Sequence, residues 1–174
     1  TLVNQYGPTE THVVSDFQID NLEQELPPIG KPAAGADLWI LDSDMSPVPI
    51  GVSGELYLGG AALARGYLNR SGITAERFTA NPFGRAGERL YRTGDLARWR
   101  DDGQIEYLGR VDHQVKIRGH RVEPGEVEAR LLTLAGVREA AVVAQDGQGG
   151  AWLAAYVSAN AGSTIDPLKL RNEM

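Results

Sequence analysis

Cysteine is absent from the 174 residues, which excludes disulfides, thiolate zinc sites and cysteine nucleophiles. No apolar run approaches the roughly 20 residues needed to span a bilayer. Basic residues are the minority, 17 Lys+Arg against 23 Asp+Glu, and the net charge of −6 argues against a general nucleic-acid binder. The opening TLVNQYGPTE has neither a basic n-region nor an apolar h-region, so no signal peptide is read there. A cytoplasmic location, with no membrane and no nucleic-acid partner, is expected. What is plentiful is Gly and Pro, 21 and 9, together above the usual ~12%. They fall between apolar runs, which points to many turns and close backbone approaches. Length gives one domain with room for a small second one.

Along the chain, Thr1 to Pro32 is punctuated by Gly and Pro and only weakly periodic. Leu38–Leu41 and Glu55–Leu58 read as strands, paired across a long connection. Ser71 reads as the N-cap of a short helix that Asn81-Pro82 ends. Tyr91–Asp95 reads as a Thr-Gly turn carrying an acid. Leu96–Arg100 and Gln104–Leu108 flank Asp101-Asp102-Gly103, and the D-G pair supplies hairpin turn residues. Val115 and Ile117 alternate with Lys116 and Arg118, which reads as one more strand with a basic face. Pro124 opens a helix whose apolar residues Val127, Leu131 and Leu134 precede a closing Gly136. Glu139–Ala144 and Ala151–Ser158 read as a strand pair, and Asp166-Pro167 caps a last helix.

The usual catalytic signatures are missing. There is no P-loop, no dinucleotide fingerprint, no HExxH and no GxSxG elbow, and the three histidines are dispersed. Four dense clusters remain. Asn4 to Glu10, NQYGPTE, gathers an amide for a base edge, a ring for stacking, a hydroxyl for a phosphate and a carboxylate for Mg²⁺. Its structural reading is a capped turn. GELYLGGAALARGYLNR is a strand leaving into a glycine-rich loop, which favours tight backbone packing. In YRTGDLARW, Asp95 offers paired acceptors for two ribose hydroxyls, or a local cap. GRVDHQVKIRGHRVE carries a net +3 from Arg110 to Arg121 within an acidic protein, which suits phosphate recognition or a solvated strand face.

In this order, NQYGPTE, GELYLGGAALARGYLNR, YRTGDLARW and GRVDHQVKIRGHRVEPGEVE resemble the second half of an adenylate-forming, AMP-binding enzyme. More narrowly, they resemble the adenylation domain of a nonribosomal peptide synthetase, and SGITAERFTANPF fits the same branch. The resemblance implies an α+β fold: a β-rich, barrel-like part of the large lobe over residues 1–111, then a small α+β lobe over 112–174, truncated at both ends. It implies joining of an amino acid to the α-phosphate of ATP with Mg²⁺, then loading onto the phosphopantetheine arm of a peptidyl carrier domain, with a condensation domain upstream in the parent. By the resemblance, Asn4 meets the adenine edge and Tyr6 stacks on the base. Gly7 and Thr9 lie at the nucleotide, Thr9 contacting the α-phosphate, and Glu10 holds Mg²⁺. Asp95 binds the ribose with Arg110 nearby, and Gln5, Val13 and Val14 line part of the amino-acid pocket. Asp112 is the hinge between lobes, and Gly119 lies where the pantetheine arm approaches.

The family's phosphate loop, most of its amino-acid pocket and its late catalytic lysine have no counterpart in these residues, so the sequence reads as a fragment inactive by itself. Two alternatives stay open: part of an acyl-CoA or aryl-acid ligase, and a non-catalytic nucleotide-binding or interaction remnant. The general TGD and GR-x-D patterns are common to both ligase branches, while GHRVEPGEVE and LARGYLNR favour the synthetase.

Overall fold

The computed structural model describes residues 2–20, 27–111, 114–117, 120–145, 147 and 150–174. It is a strand-rich α+β structure that divides into two units, Thr1–Asp112 and His113–Met174.

The first unit begins with a three-stranded antiparallel sheet of β1 (Leu2–Tyr6), β2 (Ser15–Ile19) and β3 (Lys31–Pro32). The connection from Tyr6 to Ser15 is an eight-residue loop closed by Val14 N–H donating to Tyr6 O at 2.9 Å. Then come β4 (Ala36–Leu41), β5 (Gly54–Gly60), α1 (Ser71–Arg77), β6 (Phe78–Ala80), β7 (Arg89–Trp99) and β8 (Ile105–Arg110). The strands form a five-stranded antiparallel sheet in the order β4-β5-β7-β6, with β8 on β7, and it curls into a half-barrel. Ile29 N–H to Ile105 O at 2.8 Å and Ile105 N–H to Gly30 O at 2.9 Å join it to the first sheet.

The alternation in β4 and β5 explains the core. Leu38 and Ile40 pair with Leu58 and Leu56 across the ladder, and all four are buried with Val14, Ile29, Phe78, Tyr91, Ala97 and Ile105. Each such aliphatic side chain contributes about 1.5–3 kcal/mol when fully buried. The β7–β8 hairpin turns where the D-G pair expects, with Gly103 at φ 75° and Arg100 N–H bonded to Gln104 O at 2.9 Å.

Several sequence expectations differ from the structure. The weakly periodic start contains β1 and β2, whose side chains alternate between exposed and partly buried and so leave little apolar signal. Ser71 is the first helical residue; the N-cap is Arg70, with no side-chain cap bond. The helix ends at Arg77 and runs straight into β6, well before Asn81-Pro82. Tyr91–Asp95 is no free turn but the middle of the 11-residue β7, where Gly94 sits at φ 77° in a bulge.

The second unit contains β9 (Val115–Ile117), β10 (His120–Val122), α2 (Pro124–Leu132), β11 (Val137–Gln145), β12 (Trp152–Ala159) and α3 (Pro167–Glu173). β9 and β10 form an antiparallel pair, where the sequence suggests a single strand, and β11 pairs antiparallel with β12. Pro124 opens α2 as expected, but the helix stops at Leu132, and Gly136 at φ 88° lies in the turn beyond it. Glu128 on α2 accepts from Val142 N–H at 2.7 Å, tying the helix to β11. Asp166 caps α3 by accepting from Leu168 N–H at 2.9 Å. Among the described residues no helix is long and apolar enough to cross a membrane.

Candidate nucleotide site

Three of the sequence-selected side chains meet in the first unit. β1 ends at Tyr6, β7 carries Asp95 at its bulge, and β8 ends at Arg110. Asp95 and Arg110 face each other in the β7–β8 register. Arg110 donates from Nη1 to Asp95 Oδ1 at 2.5 Å and from Nη2 to Thr93 O at 2.9 Å. The Tyr6 hydroxyl donates to Asp95 Oδ2. Asp95 is almost fully buried, so its charge is held by a guanidinium and a phenol rather than by water. Burial, and then the neighbouring Asp95 charge, push the Tyr6 hydroxyl far above the usual tyrosine range, so it remains a donor.

The bulge that carries Asp95 is held from β5. Thr93 Oγ1 donates to Leu56 O at 2.6 Å and accepts from Asp95 N–H at 2.9 Å, and Gly94 N–H donates to Glu55 Oε1 at 3.1 Å. Val111 N–H closes the other side on Gly94 O at 2.9 Å.

The loop between β1 and β2 carries Gly7, Thr9 and Glu10. A Cβ on Gly7 would lie 1.8 Å from His12 O, so the glycine is demanded by the backbone of its own loop. Thr9 is exposed and Glu10 is buried. The Tyr67 hydroxyl donates to Glu10 Oε1 at 2.5 Å, and Ala64 N–H donates to Glu10 O at 2.8 Å. Tyr67 thus joins the site although sequence reasoning assigned it no role; the aromatic in ARGYL is the signal that was present. The glycine-rich loop behaves as its packing reading says, with Gly60 at φ 100° and Gly35 O within 2.2 Å of where a Cβ would stand.

The remaining candidates are spread more widely. Asn4 donates from Nδ2 to Pro28 O at 2.9 Å. Gln5 and Val13 are exposed, whereas Val14 is fully buried in the hydrophobic core. The expected hinge Asp112, the expected pantetheine-approach residue Gly119, and Arg118, needed for the basic face with Lys116, lie outside the described residues.

No group of three or more His, Asp or Glu side chains able to hold a metal occurs among the described residues. A single carboxylate such as Glu10, which accepts from the Tyr67 hydroxyl, would suit only Mg²⁺ of the kind that takes one or two protein carboxylates and completes its shell with substrate phosphates and water. It does not fit an all-protein metal cage.

Residues 1–68 match the family model of the AMP-binding enzyme. Gramicidin S synthase 2 of Brevibacillus brevis is 57% identical over 159 residues, or 90% of this chain. The chain belongs to the AMP-binding enzyme family. Within that family it lies in the nonribosomal peptide synthetase adenylation branch. The solved structure of PA1221, a nonribosomal peptide synthetase protein containing adenylation and carrier domains, superposes with a TM-score of 0.82 at 31% identity, over 99% of this chain and 35% of that one. A four-domain synthetase solved with AMP and glycine is 40% identical with a TM-score of 0.59, over 97% of this chain and 13% of that one. The chain spans only 4% of the length of the gramicidin synthase.

Proposed function

We propose that this chain forms the ribose- and Mg²⁺-facing side of an adenylation site that activates an amino acid as its AMP ester. The observation that carries the reading is the meeting of Tyr6, from the first sheet, with Asp95 and Arg110 on the paired strands β7 and β8 of a chain whose family adenylates. Asp95 accepts from the ribose hydroxyls, and Arg110, paired with that carboxylate, aims it. Tyr6 lies against the base, and Asn4 reads its edge. Gly7 lets the loop turn closely, Thr9 donates to the α-phosphate, and Glu10 is the protein ligand to Mg²⁺. Bound Mg²⁺ would offset the negative charge that gathers on the phosphates. The exposed Gln5 and Val13 belong to the amino-acid side of the site, and Val14, expected beside them, lies fully buried in the core and backs that side from within.

In the first half-reaction a carboxylate oxygen of the amino acid attacks the α-phosphorus of ATP. The bond from that phosphorus to the bridging oxygen breaks, and pyrophosphate leaves. In the second, a phosphopantetheine thiolate on a carrier domain attacks the aminoacyl carbon, the bond to AMP breaks, and AMP leaves. Gly119 is the proposed approach for that arm and Asp112 the hinge between half-reactions, at the position where the chain divides into its two units. A condensation domain is the proposed neighbour upstream. PA1221 contains a carrier domain as well as an adenylation domain, which supports the carrier partnership.

Because the chain corresponds to about a third of the PA1221 structure, we propose that it is one portion of an adenylation domain and that it does not turn over by itself. Calorimetry with AMP tests the reading. Binding by the 174-residue chain that is lost in Asp95→Ala is expected. Equal binding by both, or amino-acid-dependent exchange of pyrophosphate into ATP by this chain alone, overturns it.

A further inference from the structure

We propose that Glu55 is a positioning residue for Asp95: it fixes the bulge that aims the Asp95 carboxylate, and so sets discrimination for the ribose diol. This rests on the reading of Asp95 as the diol acceptor.

The register carries the inference. On β5, Glu55 stands opposite Leu96 and Tyr57 opposite Arg92, so the single residue Leu56 faces the three β7 residues Thr93, Gly94 and Asp95. Two extra residues are accommodated there, and Gly94 takes φ 77°, a conformation costly for residues with a Cβ. A bulge of this kind leaves backbone donors without ladder partners. Gly94 is buried, and its N–H finds the Glu55 carboxylate instead of a strand carbonyl. Glu55 is itself held by Arg92 Nε, 3.0 Å from each carboxylate oxygen, and is largely covered. Thr93 is pinned to Leu56 O, so three successive β7 residues, Arg92, Thr93 and Gly94, are all gripped by Glu55 and its neighbour.

Asp95 follows directly. The ψ of Gly94 sets where the Asp95 Cα stands relative to Arg110 and Tyr6, which hold its carboxylate, and glycine offers no side chain to restrict that angle. Without the Glu55 carboxylate, the buried Gly94 N–H loses its acceptor, and the bulge that sets Asp95 against Arg110 and Tyr6 is free to relax. Arg92 is half-exposed where its guanidinium meets the Glu55 carboxylate. The deciding contact is therefore the one to Gly94 N–H rather than the surface ion pair.

The test compares the chain with Glu55→Ala and Glu55→Gln. Amide hydrogen exchange comes first. Glu55→Ala is expected to speed exchange of the Gly94 amide at least about tenfold while the Leu58 amide in the same strand pair keeps its protection, and Glu55→Gln, which retains an acceptor oxygen, is expected to restore it. Unchanged Gly94 exchange in Glu55→Ala overturns the inference. Calorimetry with AMP and 2′,3′-dideoxy-AMP comes second. The chain is expected to prefer AMP about tenfold. Asp95→Ala and Glu55→Ala are both expected to lose that preference, and Glu55→Gln to keep it. An equal loss of affinity for both ligands in Glu55→Ala means general destabilisation and overturns the inference. If the preference survives in Glu55→Ala but not in Asp95→Ala, Glu55 has no positioning role while the diol reading stands. If the unsubstituted chain shows no preference, the diol reading itself fails, and the exchange result still judges whether Glu55 holds the bulge.

Discussion

The Tyr67 hydroxyl lies 2.5 Å from Glu10 Oε1, across 57 residues of sequence, and is hydrogen-bonded to it. It joins the glycine-rich loop after β5 to the loop between β1 and β2. Removing the hydroxyl leaves a buried carboxylate short of a donor. Tyr67→Phe is therefore expected to lower the unfolding free energy by about 1–3 kcal/mol. Glu10→Gln combined with Tyr67→Phe is expected to cost less than the sum of the two single changes. Urea titration of the double-mutant cycle measures this, and strict additivity would show that the bond contributes nothing.

Alkaline pH separates the tyrosines. Burial raises the Tyr6 hydroxyl first, with the adjacent Asp95 charge adding to it; for Tyr67 burial again leads, followed by the bond to Glu10. Both keep their protons in the folded state where an unfolded tyrosine, with pKa about 10, would lose them. Their contribution is thus complete below pH about 10 and is lost as pH rises above that value. Melting temperature is expected to fall above pH 10. Absorbance at 295 nm is expected to show Tyr6 and Tyr67 ionising only with unfolding. Tyr6→Phe is then expected to leave the early part of that titration unchanged; a reduced early amplitude would mean that Tyr6 titrates normally.

Two glycines give opposite expectations. Gly7→Ala drives a Cβ into His12 O and should destabilise the chain while displacing the loop that holds Glu10. Gly72→Ala, in α1, meets nothing within 4 Å and should stabilise by about 0.4–1 kcal/mol through the unfolded chain. Paired thermal melts of the two variants test this, and movement of both in one direction would contradict it.

Arg110 reaches both Asp95 Oδ1 and Thr93 O with its two terminal nitrogens. Lysine has a single charged nitrogen and cannot reproduce that fork. Arg110→Ala is expected to cost about 3–5 kcal/mol, since it strands a buried carboxylate. Arg110→Lys is expected to recover only part of that. Full recovery in denaturant titrations would show that charge alone matters.

What the sequence made legible was local. Asp102-Gly103 turns the β7–β8 hairpin, Pro124 starts α2, and Asp166 caps α3, each through a neighbour within a few residues. Tyr91–Asp95 was obscure because its state depends on a distant strand. A Thr-Gly pair reads as a turn until Glu55 and Leu56 are set against it, 37 to 39 residues away. β1 and β2 were obscure for a different reason: their side chains are mostly half-buried or exposed, so no apolar stripe marks them. The four clusters could be ordered along the chain, but only the sheet decides that Tyr6, 89 residues from Asp95, donates to it.

Strand β7 also begins with Arg89, whose guanidinium binds the carbonyls of Ala64 and Arg65 and rests over the Phe78 ring. Six residues further on, past the bulge at Gly94, the same strand presents Asp95. One strand thus holds the loop that bears Tyr67 at one end and carries the Asp95 carboxylate toward the other. A change at Arg89 therefore bears on the loop that carries Tyr67, the donor to Glu10, and on the strand that carries Asp95.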